Sequence, residues 1–152
     1  MARAVKVLEI PAHTRAHIAF VTDDAAFTGD TLFAMGCGRL FEGTPAMMWA
    51  SLSKLKTLPD ATRIFCGHEY TLNNGRFALT LEPKNTDLVS RMREVEAARA
   101  RNAPTIPSTL GLEKKTNPFL RPDSVEIRRT LGMAGADDVA VFGEMRKRKD
   151  SF

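Results

Sequence analysis

Cysteine is scarce: among 152 residues only Cys37 and Cys66 carry a thiol. Two thiols outside a CxxC pattern can build neither a disulfide framework nor a cysteine-based metal finger, so both are expected to stay reduced. Long apolar runs are also lacking. No stretch approaches the roughly 18 consecutive apolar residues of a membrane span. The charges interspersed through residues 1 to 10 (MARAVKVLEI) leave no readable secretory signal. The expectation is a cytoplasmic protein without a membrane partner. Histidine is rare as well, with three residues in the whole chain, His13, His17 and His68.

The formal net charge is +4 and the sequence pI about 9.3, an excess that can attract nucleic acid, anionic lipid or a small anionic substrate. Much of it sits in Arg146-Lys147-Arg148-Lys149. That run is either a solvated helix end complementing the helix dipole or an anion contact. It is short and has no aromatic residues interleaved, which argues against a nucleic-acid face. A hydrophobic content of 43% is enough for the core of one domain or two small ones.

Apolar runs at Val5 to Ile10, His17 to Val21, Ala25 to Thr28 and Arg63 to Cys66 predict successive strands, with a turn at Asp23-Asp24. A glycine-rich stretch (Gly36, Gly38, Gly43) leads to Thr44-Pro45, an N-cap followed by proline at the first helical position. The spacing Met48, Leu52, Leu55 then carries a helix to Pro59, and a second helix runs from about Thr71 to Leu81. From Pro83 no convincing strand remains: a charge-laced helix at Thr86 to Asn102 precedes a proline-containing connection and two further helical patches. Residues 1 to 82 therefore read as α/β and 83 to 152 as helical. About four short strands cannot cover both faces of a sheet, and the chain starts inside the first of them, so a fragment is expected.

His13, Asp30 and His68 each follow a predicted strand, where α/β proteins assemble their sites. Imidazole and carboxylate suit zinc, iron or manganese, and a carboxylate can bridge two ions. From spacing alone, such residues are more often ordinary loop histidines and a turn-forming aspartate than a metal site.

The local sequences decide more. IPAHTRAHI (10 to 18), FTGDTLF (27 to 33), GCGRLFEGT (36 to 44) and CGHEYT (66 to 71) resemble four blocks of the glyoxalase II family, the hydroxyacylglutathione hydrolases. LEPKN (81 to 85), PSTL (107 to 110), EKKTNPFLR (113 to 121) and RKRKD (146 to 150) resemble its C-terminal part. Any one block is weak; eight in order are strong.

The resemblance implies an α/β metallo-β-lactamase αββα sandwich, of which 1 to 82 would be the second half, followed by a helical C-terminal domain at 83 to 152. It implies hydrolysis of S-D-lactoylglutathione to glutathione and D-lactate in methylglyoxal detoxification, with two divalent ions, zinc or else iron or manganese. By the same resemblance His13 and His68 are metal ligands, one for each ion. Asp30 is the bridging, catalytic carboxylate. Arg39, Phe41, Tyr70, Arg146 and Lys149 then match positions that contact glutathione, whose two carboxylates call for cations.

Three departures qualify this. Ala12 and Ala16 stand where the family usually has glycine, and alanine disfavours positive φ, so a shifted His13 loop is expected. Phe41 has no hydroxyl where some members carry tyrosine. The family's THxHxDH block is absent, leaving three of seven ligands, with His17 expected to face the strand rather than replace one. Two readings follow: a thioester hydrolase, inactive as this chain alone and completed by a missing N-terminal half, or an inactive module that binds glutathione conjugates.

Overall fold

The structure is a computed structural model describing residues 4–152. Its main sheet runs in the order β1 (Lys6–Glu9), β2 (Ile18–Val21), β3 (Ala25–Gly29), β6 (Arg63–Cys66), β7 (Ser108–Thr109). β1, β2 and β3 pair antiparallel, β3 and β6 parallel. Chain direction follows from this: β1, β3 and β6 all point the same way, so the loops after them emerge at one edge of the sheet. A separate hairpin, β4 (Leu32–Phe33) with β5 (Gly36–Cys37), hangs below that edge.

Alternation gives the sheet two unlike faces. Ala19, Val21, Ala26 and Ile64 point into the core, where they meet Met48, Leu52 and Leu55 of α1 (Pro45–Lys56) and Val141, Phe142 and Met145 of α6 (Asp138–Asp150). The opposite face carries Val5, Val7, Ile18, Phe20 and Phe27, all exposed, with Phe20 at 47% and Phe27 at 46%. Phe27 stacks on Phe65 of β6, ring centroids 5.1 Å apart. The expected want of a covering layer is thus visible as apolar side chains left in water.

The helices obey local rules. Thr44 caps α1 by accepting from the Met47 amide, with Pro45 at its first position. Asn85, Thr109, Ser124 and Asp137 do the same for α3 (Thr86–Ala100), α4 (Leu110–Thr116), α5 (Val125–Leu131) and α6. α2 (Thr71–Leu81) follows β6 directly. A second apolar cluster of Met35, Ala78, Leu88, Met92 and Val95 joins the hairpin to α2 and α3.

One expectation fails here. Past Pro83 the sequence offers no strand, yet Ser108 and Thr109 pair antiparallel with Ile64 and Arg63 as β7. Two residues cannot show an alternating pattern; the strand exists because β6 is there to pair with it, and Leu110 N–H continues the contact to the Thr62 carbonyl at 2.9 Å. The hairpin β4–β5 escapes the sequence for the same reason.

Beneath the hairpin lies the chain's most buried charge. The Glu113 carboxylate, fully buried, accepts from the Met35 amide at 2.8 Å, the Arg91 guanidinium at 2.6 Å, the Asn117 amide at 3.1 Å and the Ser108 hydroxyl. Arg91 is itself 5% exposed and also donates to the Thr116 hydroxyl. Removing the carboxylate would strand a buried guanidinium and three other donors, so Glu113→Ala should cost about 3–5 kcal/mol of stability. Urea unfolding of the two proteins checks this; a loss under about 1 kcal/mol would mean the network is dispensable.

Candidate active site

The three parallel-running strands deliver their following loops to one place. The Asp30 carboxylate oxygen Oδ2 lies 3.5 Å from His13 Nε2 and 3.3 Å from His68 Nε2, between the two imidazoles. His13 donates from Nδ1 to the Arg39 carbonyl at 3.0 Å, which turns Nε2 toward Asp30. Close approach requires glycine at 67: a Cβ there would fall 2.4 Å from Asp30 Oδ1. Phe41 packs on the His13 ring at 5.1 Å and Tyr70 stacks on His68 at 4.8 Å.

Alanine at 12 does not relax the His13 loop. Ala12 is fully buried and holds φ +151, a backbone conformation that glycine would adopt freely. Ala16 is not among the positive-φ residues. The positive φ at Ala12 places backbone strain in the loop that holds His13.

His13 and Asp30 open onto a cavity of about 510 Å³, also lined by Arg39, Phe41, Tyr70, Arg146 and Lys149. All five residues expected to contact an anionic ligand thus line one cavity. Their availability differs. Arg146 is 5% exposed and already committed: it donates to the Cys37 carbonyl at 2.7 Å, pairs with Asp150 at 2.8 Å and lies over the Phe119 ring. Arg39 is exposed and reaches Asp150 at 3.9 Å. Lys149 sits over the Phe77 and Phe152 rings. Burial, then the neighbouring Arg146 and Arg39 charges, push its ammonium below the usual lysine range.

The sequence did not single out Asp150, the one acid among these cations, nor Phe33, Asn73 and Asn74, which also line the cavity. Asn74 donates to the Ala34 carbonyl at 3.1 Å and so ties α2 to the hairpin. One signal for the asparagines was present: they follow Tyr70 within a single helical turn.

The donor set fits divalent metal ions in part. Two imidazole nitrogens and a carboxylate oxygen between them are ligands that zinc, iron or manganese accept. Among the described residues, however, no group of three or more His, Cys, Asp or Glu side chains could hold an ion by itself. Each of two ions sharing Asp30 would have one imidazole and one carboxylate, whereas a catalytic zinc normally has three protein ligands.

Residues 69–152 match the family model described as hydroxyacylglutathione hydrolase C-terminus. The chain belongs to the hydroxyacylglutathione hydrolase family. It is 58% identical over 149 residues to a protein of that name from Maricaulis maris, and 55% identical over 151 residues to one from Methylococcus capsulatus. The match covers 97% and 98% of the chain, but the chain spans only 58% and 59% of those relatives. Among solved structures, ETHE1 from Myxococcus xanthus has a TM-score of 0.57 at 23% identity, over 94% of this chain and 44% of that one. A metallo-β-lactamase from Staphylococcus aureus has a TM-score of 0.51 at 24% identity, over 95% of this chain and 38% of that one. These likenesses give the fold: part of a metallo-β-lactamase fold, followed by helices.

Within this family member, Cys37 is the buried group that Arg146 touches. Burial pushes its thiol from 9.0 up to about 11, against the opposing pull of the guanidinium. The thiol is neutral in both states below pH 9.0; between there and about 11 only the unfolded chain ionises, so this contribution to stability is lost as pH rises through that window. The loss should approach about 1.4 kcal/mol per pH unit at most. Urea unfolding across the window should show a steeper decline for the native protein than for Cys37→Ala; equal slopes would contradict the burial argument.

Proposed function

We propose that the chain carries the bridging-carboxylate half of a binuclear metal site and the anion-binding wall of a hydroxyacylglutathione thioester hydrolase, cleaving S-D-lactoylglutathione to glutathione and D-lactate in cytoplasmic methylglyoxal detoxification. One observation carries this reading: a carboxylate within 3.5 Å of two imidazoles, lining the same cavity as three cations. In this reading residues 1–82 form the metallo-β-lactamase-like portion and 83–152 the helical domain that closes the pocket.

His13 and His68 would each hold one ion through Nε2, and Asp30 would hold both. When bound, divalent ions, zinc or else iron or manganese, supply the water activation and carbonyl polarisation that thioester hydrolysis needs. The chain's own residues do the rest. Arg39 and Lys149 offer free donors to a glutathione carboxylate. Arg146 contributes its charge while its hydrogen bonds hold α6 against β5. Phe41 and Tyr70 pack against the two imidazoles and present their rings to the cavity.

Two ligands per ion are too few for a tight site, because each missing ligand is replaced by water that the ion already has in solution. The exposed face of Val7, Ile18, Phe20 and Phe27 wants a covering layer. Both needs would be met by an N-terminal half of the kind that fills the rest of the longer relatives. The same two-ligand count favours a second reading, a glutathione-conjugate binding module that uses the cations and no metal.

The test is to measure zinc, iron, manganese and S-D-lactoylglutathione hydrolysis for the chain alone, then mixed with the N-terminal half of a related hydrolase. Alone it should show no appreciable turnover and no tight metal; reconstituted, it should recover turnover with about two equivalents of metal. Lys149→Ala in the reconstituted enzyme should raise KM about tenfold or less with kcat retained, since it touches a remote part of the substrate. Glutathione binding that a chelator leaves undiminished, without turnover on reconstitution, would favour the binding module.

A further inference from the structure

His17 is the third imidazole, and the metal-site reading gives it no task. It stands just before β2, facing the Thr28–Thr31 turn that closes β3. That turn is built tightly: Thr31 N–H reaches the Thr28 carbonyl at 3.1 Å, the Thr28 hydroxyl donates to the Leu32 carbonyl at 2.8 Å, and Gly67 N–H donates to the Gly29 carbonyl at 2.9 Å. Gly29 takes the left-handed φ of +51, and the strand register shifts between Phe27 and Gly29. These bonds fix the turn on both sides of Asp30 but leave the Asp30 amide to find a partner elsewhere. It donates to His17 Nε2 at 3.1 Å.

An amide N–H can only donate, so His17 Nε2 must be an unprotonated acceptor. The neutral ring's proton then sits on Nδ1, which faces the Thr14 hydroxyl at 3.5 Å. The imidazole also occupies the room that glycine leaves: a Cβ at Gly29 would lie 2.7 Å from His17 Nε2. From the other side the His13 ring meets it edge-on, centroids 5.8 Å apart. With its Nε2 lone pair spent on a backbone amide, His17 is not a spare metal ligand.

We infer that His17 is the positioning residue of this site: its Nε2 anchors the Asp30 backbone and thereby aims the carboxylate between His13 and His68. The inference rests on the reading of Asp30 as a metal ligand. His17 Nε2 is the acceptor the Asp30 amide finds, so its loss leaves that amide unbonded and loosens Asp30 between the fixed ends of the turn. Partners one bond removed from a ligand typically change metal affinity by 10–100-fold.

The test uses the full chain and zinc alone, with its weak affinity read by competition against a low-affinity chromophoric chelator at one fixed pH near neutrality. Asp30→Ala sets the floor. His17→Leu, similar in bulk but without an acceptor, should fall about tenfold toward that floor. His17→Gln, whose side-chain carbonyl can reach the Nε2 position, should stay within about threefold of the native chain, while the shorter His17→Asn should behave like the leucine variant. Hydrogen exchange of the Asp30 amide should accelerate in the Leu and Asn variants and not in Gln. If His17→Leu does not fold, the Asn and Gln pair decides alone. Native zinc affinity in both the Leu and Asn variants, or equal loss in Asn and Gln, overturns the inference while Asp30 remains a ligand. Native affinity in Asp30→Ala instead overturns the ligand reading beneath it.

Discussion

The buried carboxylate of Glu113 is the constraint from which the site's outer wall hangs. It gathers the Met35 amide of the hairpin, Arg91 of α3, Ser108 of β7 and Asn117 at the end of α4. Asn117 in turn donates to the carbonyls of Phe33 and Gly36, the two sides of the same hairpin. The hairpin's last residue, Cys37, offers its carbonyl to Arg146, and Arg146 sits one helical turn before the end of α6, beside Lys149. A dependence therefore runs from one ion pair at the base of the molecule to the cations of the pocket. A buried ion pair is poor value as stability alone, since desolvation offsets most of its attraction. Its worth here is that one carboxylate fixes four elements relative to one another.

That dependence explains what the sequence could and could not tell. The helix at Pro45–Lys56 was readable because its signal is local: Thr44 caps, Pro45 starts, and Met48, Leu52 and Leu55 repeat on one face. His13, Asp30 and His68 were readable as loop residues after strands, and the eight resembling blocks turned that position into a role. What brings both imidazoles within 3.5 Å of the Asp30 carboxylate is strand direction, β1, β3 and β6 running alike, which depends on pairing between distant segments. The short strands β4, β5 and β7 could not be read, because two residues carry no period and exist only through their partners.

Arg146 marks the same limit for charge. In sequence it belongs to a basic run and suggests a free anion contact. In the fold it is almost wholly buried, bonded to a carbonyl 109 residues away and to Asp150 one turn on. Nothing local separates it from Lys147, Arg148 and Lys149. Under the proposed function burial also shapes how the cavity would attract an anion: a cation held in low dielectric acts over a longer range than one in water, so a committed Arg146 would still deepen the potential around Arg39 and Lys149. Asp150 opposes it, which keeps the cluster compact without a ligand.

The site and the sheet pose one problem in two forms. At the sheet edge, Asp30 lies between two imidazoles, and two ions sharing it would each find two protein ligands. On the sheet's outer face, Phe20 and Phe27 stand half exposed, and completing their burial would be worth about 1 kcal/mol each, roughly half the value of burying a whole apolar side chain. Ligands and covering layer need not come from one source on chemical grounds. Geometry links them under the proposed function: a layer laid across β1 to β3 ends at the same edge where His13 and Asp30 emerge, so the residues closing its strands would face the open side of Asp30. The energy of covering the apolar face would then hold those residues in place, and metal affinity and folding would become parts of a single equilibrium.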